Sequence, residues 1–332
     1  MPAKPSSNQL HLPPLPADPE LLRNLRAREI SPRFLYQSKD QIRKWVALHR
    51  KFSPWQVDLD CSGTYRKAFA AVANLLKGGN VHLVGLGCGD GTKDADFLRA
   101  FLMSHIRPCY TAVDVAPEMT AVALRQASPV AGADRCGAAV CDLLRPKGLR
   151  KVLATAESKW FGRPPSPPFT RVCTLFGMLP VFRPEELMPS LAQAVQPGDL
   201  LVLSANLAPG TDYDNGMLHV LPQYDNRPTR EWLLAFLDYM RVPASCCELS
   251  FSVARSESVR KIIATITFKT TAGVRIGRNR LQFNPGDKIT VFTSYRHTPA
   301  TIRNSFKHNR FSILRQWITS SGEEGVFLAQ RI

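Results

Sequence analysis

Four glycines stand at alternate positions in the stretch VHLVGLGCGDGTKD, Val81 to Asp94: Gly85, Gly87, Gly89 and Gly91. Glycine lets backbone pass close to a ligand because no side chain intervenes. The turn between a first strand and its helix is where doubly wound sheets hold cofactors. The spacing G-x-G-x-G is not the dinucleotide pattern G-x-G-x-x-G, and no Lys followed by Ser or Thr stands at the spacing of a phosphate-binding loop. The next apolar run, YTAVDV, ends on Asp114, 23 residues after Gly91. A carboxylate there can accept hydrogen bonds from both hydroxyls of a ribose. Asp142 follows a third run, GAAVCDLL, where it is either a further cofactor contact or a helix cap.

The elements that must hold these residues alternate. After Gly79, VHLVGLG reads as a short apolar strand, TKDADFLRAFLMSH as a helix, CYTAVDV as a strand and APEMTAVALRQA as a helix. GAAVCDLL, TRVCTLFG and DLLVLSAN follow as strands, with helical EELMPSLAQAV before the last and the proline-rich loop KWFGRPPSPPF within the series. Alternation of this kind implies an α/β fold, a parallel sheet covered on both faces. Near the end, PATIRNSFKHN reads as a helix, and FSILRQWI and GVFLAQRI as strands joined by a turn at Gly322.

Upstream, MPAKPSSNQLHLPPLPADPE is too rich in proline for regular structure and is expected to be a loose arm, residues 1–20. Ile42, Trp45, Val46, His49 and Phe52 recur at helical intervals, and TYRKAFAAVANLLKGG repeats the period, so residues 21–78 are expected to form a helical cap. Residues 79–205 and 297–332 are then the cofactor-binding sheet domain. Residues 206–296, with one helical run and several strand-like ones, are an inserted α+β lobe.

Together these features resemble the class I S-adenosylmethionine-dependent methyltransferases, whose Rossmann-like seven-stranded sheet is completed by such a terminal hairpin. Within that class, GDGTKD, RFLYQSKDQI, YTAVDVAPEM, PGDLLVLSANLAPG, QYDN and ITVFTSYRHTPATIRNSF are similar to the histidine-specific methyltransferase family over about Phe34 to Ile332. That family trimethylates the α-amino group in ergothioneine biosynthesis and includes fungal N-methyltransferases acting on prenylated tryptophan. The resemblance implies S-adenosyl-L-methionine as cofactor, held by Gly85, Gly87, Gly89, Lys93, Asp114 and Asp142. It places Tyr36, Tyr224 and Ser294 at an amino-acid substrate, with the two tyrosines as candidate catalytic groups. Two departures matter. Pro180 and Val181 stand where the histidine enzymes have an asparagine for the amino-acid head group, and Phe292 stands where they have the glutamate that grips imidazole. Each loss would leave a polar group of bound histidine unpaired, at about 1–3 kcal/mol. Phe292 instead favours an apolar or aromatic side chain, so the expected substrate is an amine of amino-acid-like form other than free histidine.

The chain has 332 residues, 44% of them apolar, enough to bury a sizeable core. No run approaches the roughly 18 apolar residues of a membrane-spanning helix, and the first residues lack the apolar core of a secretory signal. The expectation is a cytoplasmic protein with no membrane partner. Eight scattered cysteines, without Cys-x-x-Cys or zinc spacing, are expected to be buried thiols, with no metal. The formal charge is +16, and Arg227–Ile332 alone holds 17 basic and 7 acidic residues. The charges are dispersed, which suits a solvated face or attraction of an anionic small molecule better than a nucleic-acid groove. An RNA methyltransferase using this basic third, and a cofactor-binding protein without catalysis, are the two alternatives. His49, His219 and His297 lack partners at a telling spacing and read as structural. Trp45, Trp317 and the Cys246-Cys247 pair read as packing.

Overall fold

The computed structural model describes residues 14–162, 168–256 and 259–332. The first half of the chain forms α1 (Pro19–Ala27), α2 (Lys39–Phe52), α3 (Pro54–Val57), α4 (Leu59–Leu75), β1 (Asn80–Leu86), α5 (Thr92–Met103), β2 (Cys109–Asp114), α6 (Pro117–Ala131), β3 (Cys136–Val140) and α7 (Pro146–Phe161). There follow β4 (Phe169–Leu175), α8 (Pro184–Ala194), β5 (Leu200–Asn206), α9 (Tyr213–Val220), α10 (Arg227–Met240), β6 (Cys247–Arg255) and β7 (Arg260–Phe268). The chain ends with β8 (Ala272–Ile276), β9 (Asn279–Phe283), β10 (Lys288–Arg296), α11 (Pro299–His308), β11 (Phe311–Ile318) and β12 (Glu324–Arg331). Packing divides them into two compact units: Met1–Ser53 with Asp214–Ser294, and Pro54–Tyr213 with Tyr295–Ile332.

The second of these is the sheet unit. Its seven strands run in the order β11-β12-β5-β4-β1-β2-β3. β1 to β5 are parallel, and the terminal hairpin joins antiparallel, β12 against β5 and β11 against β12. This is the α/β, Rossmann-like seven-stranded fold expected from the sequence. The strands read as nearly unbroken apolar runs because both faces are covered. Val81 and Leu83 of β1 join Tyr65, Phe69, Phe97 and Phe101 on one face. Val84 and Leu86, one residue out of phase, join Leu149, Leu153, Leu187 and Phe306 on the other.

Helix α4 therefore belongs to the sheet unit, and the expected helical cap of residues 21–78 is divided at Ser53 between the two units. Period alone identifies α4 as a helix but does not say which surface its apolar stripe covers. The sequence pattern also does not single out α7, whose Pro146 and Gly148 blend into the preceding loop and whose only fully buried apolar residues are Leu149, Leu153 and Phe161. Residues 163–167 of the expected proline-rich loop lie outside the described residues.

The other unit holds α1, α2, α9, α10, the three-stranded sheet β10-β7-β6 and the hairpin β8–β9. Residues 1–13 of the expected arm lie outside the described residues, but its end is not loose. Leu15 is buried and bridges Ile276, and Asp18 caps α1 by accepting from the N–H of Glu20 and Leu21. Ser38 and Gln41 form a reciprocal capping box that starts α2, and Gln41 also donates to the carbonyl of Phe34. Asn226 starts α10 by accepting from the N–H of Thr229. These caps fix the ends of the segments that carry Tyr36, Trp45 and Trp232. Among the described residues no helix is long and apolar enough to cross a membrane.

Candidate functional site

The strand order reverses between β1 and β4, the topological switch point, where doubly wound sheets take ligands beyond the carboxyl ends of the strands. The glycine turn sits there. The N–H groups of Gly87 and Cys88 both donate to the carbonyl of Val113, which ties the turn to β2. Gly87 has φ of 64°, and a Cβ on it would lie 2.5–2.8 Å from the side chain of Met178, just past β4. Gly85 and Gly91 pack against the chain in the same way. A Cβ on Gly91 would lie 2.5 Å from Cα of Ala123 in α6, and one on Gly85, inside β1, would lie 2.1 Å from Oδ2 of Asp94. The space at Gly85 is thus filled by the chain's own carboxylate and that at Gly87 by the Met178 side chain, so a close approach to a ligand falls to Gly89, which has φ of 55°.

Asp114 stands at the end of β2, its Oδ1 accepting from the N–H of Ala116 at 3.1 Å. Burial pushes its carboxyl above the usual range, opposed by the N–H groups of Ala116, Gly89 and Val115. Of these, Gly89 belongs to the glycine turn. Asp142 lies past the end of the neighbouring β3, accepts from the N–H of Leu144 at 2.9 Å and has Nε of Arg145 3.7 Å away. It organises the turn into α7 while staying partly exposed. Lys93, in the first turn of α5, donates to the phenol of Tyr65 at 3.0 Å. Tyr65 in turn donates to Glu324, the first residue of β12. Tyr65 and Glu324 carry no sequence signal, since 259 positions separate them.

All the sequence-predicted substrate residues lie in the other unit, and the structure brings them into one cluster. Tyr36 follows a short 3-10 turn and its ring lies 5.9 Å from those of both Trp45 and Trp232. Trp232 is edge-on to Phe292 at 5.8 Å, and Phe292 lies 6.2 Å from Tyr224. The Tyr224 hydroxyl and Oγ of Ser294 are 2.8 Å apart. Trp45 and Trp232 extend the set. Trp232 is 4% exposed and its Nε1 has no acceptor among the described residues. Pro180 and Val181 lie instead in the sheet unit, in the short turn after β4. Trp45 reads as packing from sequence, and Trp232 is not singled out there, because helical spacing shows a buried face and not which rings share it.

His297 is buried, its ring nitrogens without a partner among the described residues, and burial pushes it down to about 4. It is neutral at physiological pH. His82 lies on the sheet between Glu157 and Thr111, 3.1 and 2.9 Å away. All eight cysteines are free thiols, and burial raises Cys61 to about 12. Among the described residues no three His, Cys, Asp or Glu side chains are grouped to hold a metal ion.

No protein-family model and no curated protein matches the chain. Solved structures do. An S-adenosylmethionine-dependent methyltransferase from Clostridium acetobutylicum is 12% identical, with 87% of this chain and 98% of that one covered and a TM-score of 0.42. The amino pentose methyltransferase CalS10 from Micromonospora echinaspora is 16% identical, over 81% of this chain and 92% of that one, at 0.36. The 1,6-didemethyltoxoflavin-N1-methyltransferase of Burkholderia thailandensis is 11% identical, over 87% of each chain, at 0.39.

Proposed function

We propose that the protein is an S-adenosylmethionine-dependent N-methyltransferase acting on the amino nitrogen of an amino-acid-like small molecule with an apolar or aromatic side chain. One observation carries the reading: a glycine turn at the switch point, tied by the N–H groups of Gly87 and Cys88 to the carbonyl of Val113, with the strand-end carboxylate of Asp114 next in the chain. The cofactor supplies an electrophilic methyl group on a sulfonium. The residues at the turn suit it. Asp114 offers oxygen acceptors for two ribose hydroxyls, the turn at Gly89 leaves backbone bare for the nucleoside, and Lys93 offers a cation for the carboxylate of the methionine moiety.

Transfer is an in-line displacement, so the chain's task is to align a lone pair and exclude water. The Tyr224–Ser294 hydroxyl pair can accept from the substrate's N–H and so orient the nitrogen. Tyr36 and Tyr224 can hold or relay the proton that the amine must lose. The wall of Tyr36, Trp45, Trp232 and Phe292 offers ring faces and edges to an apolar or aromatic side chain, and carries no carboxylate for imidazole. The similarity to the histidine-specific family supports the choice of nitrogen as acceptor, and Phe292 weighs against free histidine. The test is incubation with methyl-labelled S-adenosylmethionine and a panel of amino acids and derivatives, scored by label transferred. Preferred transfer to histidine contradicts the substrate reading, and preferred transfer to RNA contradicts the class.

A further inference from the structure

Glu324 opens β12, where it pairs with Asn206 at the end of β5. It therefore lies at the carboxyl edge of the parallel strands, the same edge as the glycine turn. A carboxyl there is unexpected as a packing residue: burial pushes it above its usual range, with Lys93 and Arg296 pulling it back. It accepts from the Tyr65 hydroxyl, and Ser204, whose Oγ accepts from the N–H of Gly177 next to Met178, also favours its charged form. The fully buried Tyr65 has a single phenolic proton. That proton goes to Glu324, which leaves the phenol oxygen as acceptor for Lys93. The Lys93 ammonium also lies over the rings of Tyr65 and Phe176, 4.6 and 6.0 Å from their centroids. It has three donors. Tyr65 takes one, and the other two have no acceptor among the described residues.

We propose that Tyr65 and Glu324 are positioning residues that hold the Lys93 ammonium where it receives the carboxylate of the cofactor's methionine moiety. The inference rests on the cofactor reading given above. Lysine is a flexible stem with a point charge, and fixing it before the ligand arrives removes part of the ordering cost of binding.

The experiment compares two ligands by calorimetry. S-adenosylhomocysteine has the amino-acid tail, whereas 5′-methylthioadenosine has the nucleoside and sulfur without it. Tyr65→Phe, Glu324→Gln and Lys93→Met should each weaken S-adenosylhomocysteine about tenfold or more and change 5′-methylthioadenosine by less than about twofold. The Tyr65→Phe/Lys93→Met pair should lose little beyond Lys93→Met alone. The selectivity between ligands is read within each variant, so partial unfolding does not imitate it. Equal weakening of both ligands in Tyr65→Phe and Glu324→Gln, or of neither, overturns the inference. A wild-type protein that binds neither ligand removes the cofactor reading, and the positioning proposal with it.

Discussion

The carboxylate of Asp94 occupies the space that Gly85 leaves open: a Cβ on Gly85 would stand 2.1 Å from Oδ2 of Asp94 and 2.9 Å from the hydroxyl of Tyr110. Asp94 is buried, and Tyr110 and Thr174 each donate to one of its oxygens at 2.8 Å. A first-strand glycine and an acid in the following helix are therefore one packed unit beneath the turn.

Gly85→Ala forces that unit apart. The neighbours are a fixed polar cluster, so we expect a loss of about 1–3 kcal/mol in urea unfolding, as for overpacked cores. Wild-type stability for the variant would mean that the cluster yields easily.

Burial raises Asp94 to about 6, against the pull of Tyr110 and Thr174, from an ordinary value near 3.8. With the folded value the higher one, its contribution to stability is fully present below pH 3.8 and is lost as pH rises through 6. Asp94→Asn does not titrate. Between pH 4 and 7 the wild type should therefore lose stability relative to the variant, by on the order of 3 kcal/mol. Denaturant curves at four pH values measure the gap, and a constant gap contradicts the assignment.

On the same sheet, Arg171 holds Glu157 with two bonds of 2.7 and 2.8 Å, and Glu157 reaches His82 and Arg171 reaches Asp199. Burial works against the Glu157 charge, yet His82 and Arg171 hold its carboxyl below the usual range. Arg171→Met leaves two carboxylates without their cation. Thermal and urea unfolding should show a loss of about 3–5 kcal/mol. A change below about 1 kcal/mol would show that water or the remaining partners compensate.

In the aromatic unit, Tyr224→Phe and Ser294→Ala remove one hydroxyl each from a pair 2.8 Å apart. Each should lower kcat/KM by about ten- to a hundredfold on the best substrate of the panel, with cofactor affinity unchanged. Unchanged kcat/KM would place the pair outside the reaction.

Much of this was legible in the sequence, for a physical reason. Strands buried on both faces leave unbroken apolar runs such as VHLVGL and CYTAVD, and a turn that needs positive φ leaves glycines such as Gly87 and Gly91. Asp114 was legible because a strand end and an acid coincide in YTAVDV. Contacts between distant segments were not. Tyr65 and Glu324 meet across 259 positions, and helical period in TYRKAFAAVANLL does not reveal that this helix covers the sheet. Trp45 was readable as a buried ring, whereas its meeting with Trp232 at Tyr36 depends on the packing of α2 against α10.

The measurement that bears most directly on the central claim is calorimetric titration of wild type and Asp114→Ala with S-adenosylhomocysteine. Saturable one-to-one binding to the wild type is expected, weakened about tenfold or more in the variant by loss of the ribose acceptor. Absence of binding to folded wild-type protein at millimolar ligand, or equal affinity in the variant, would contradict it.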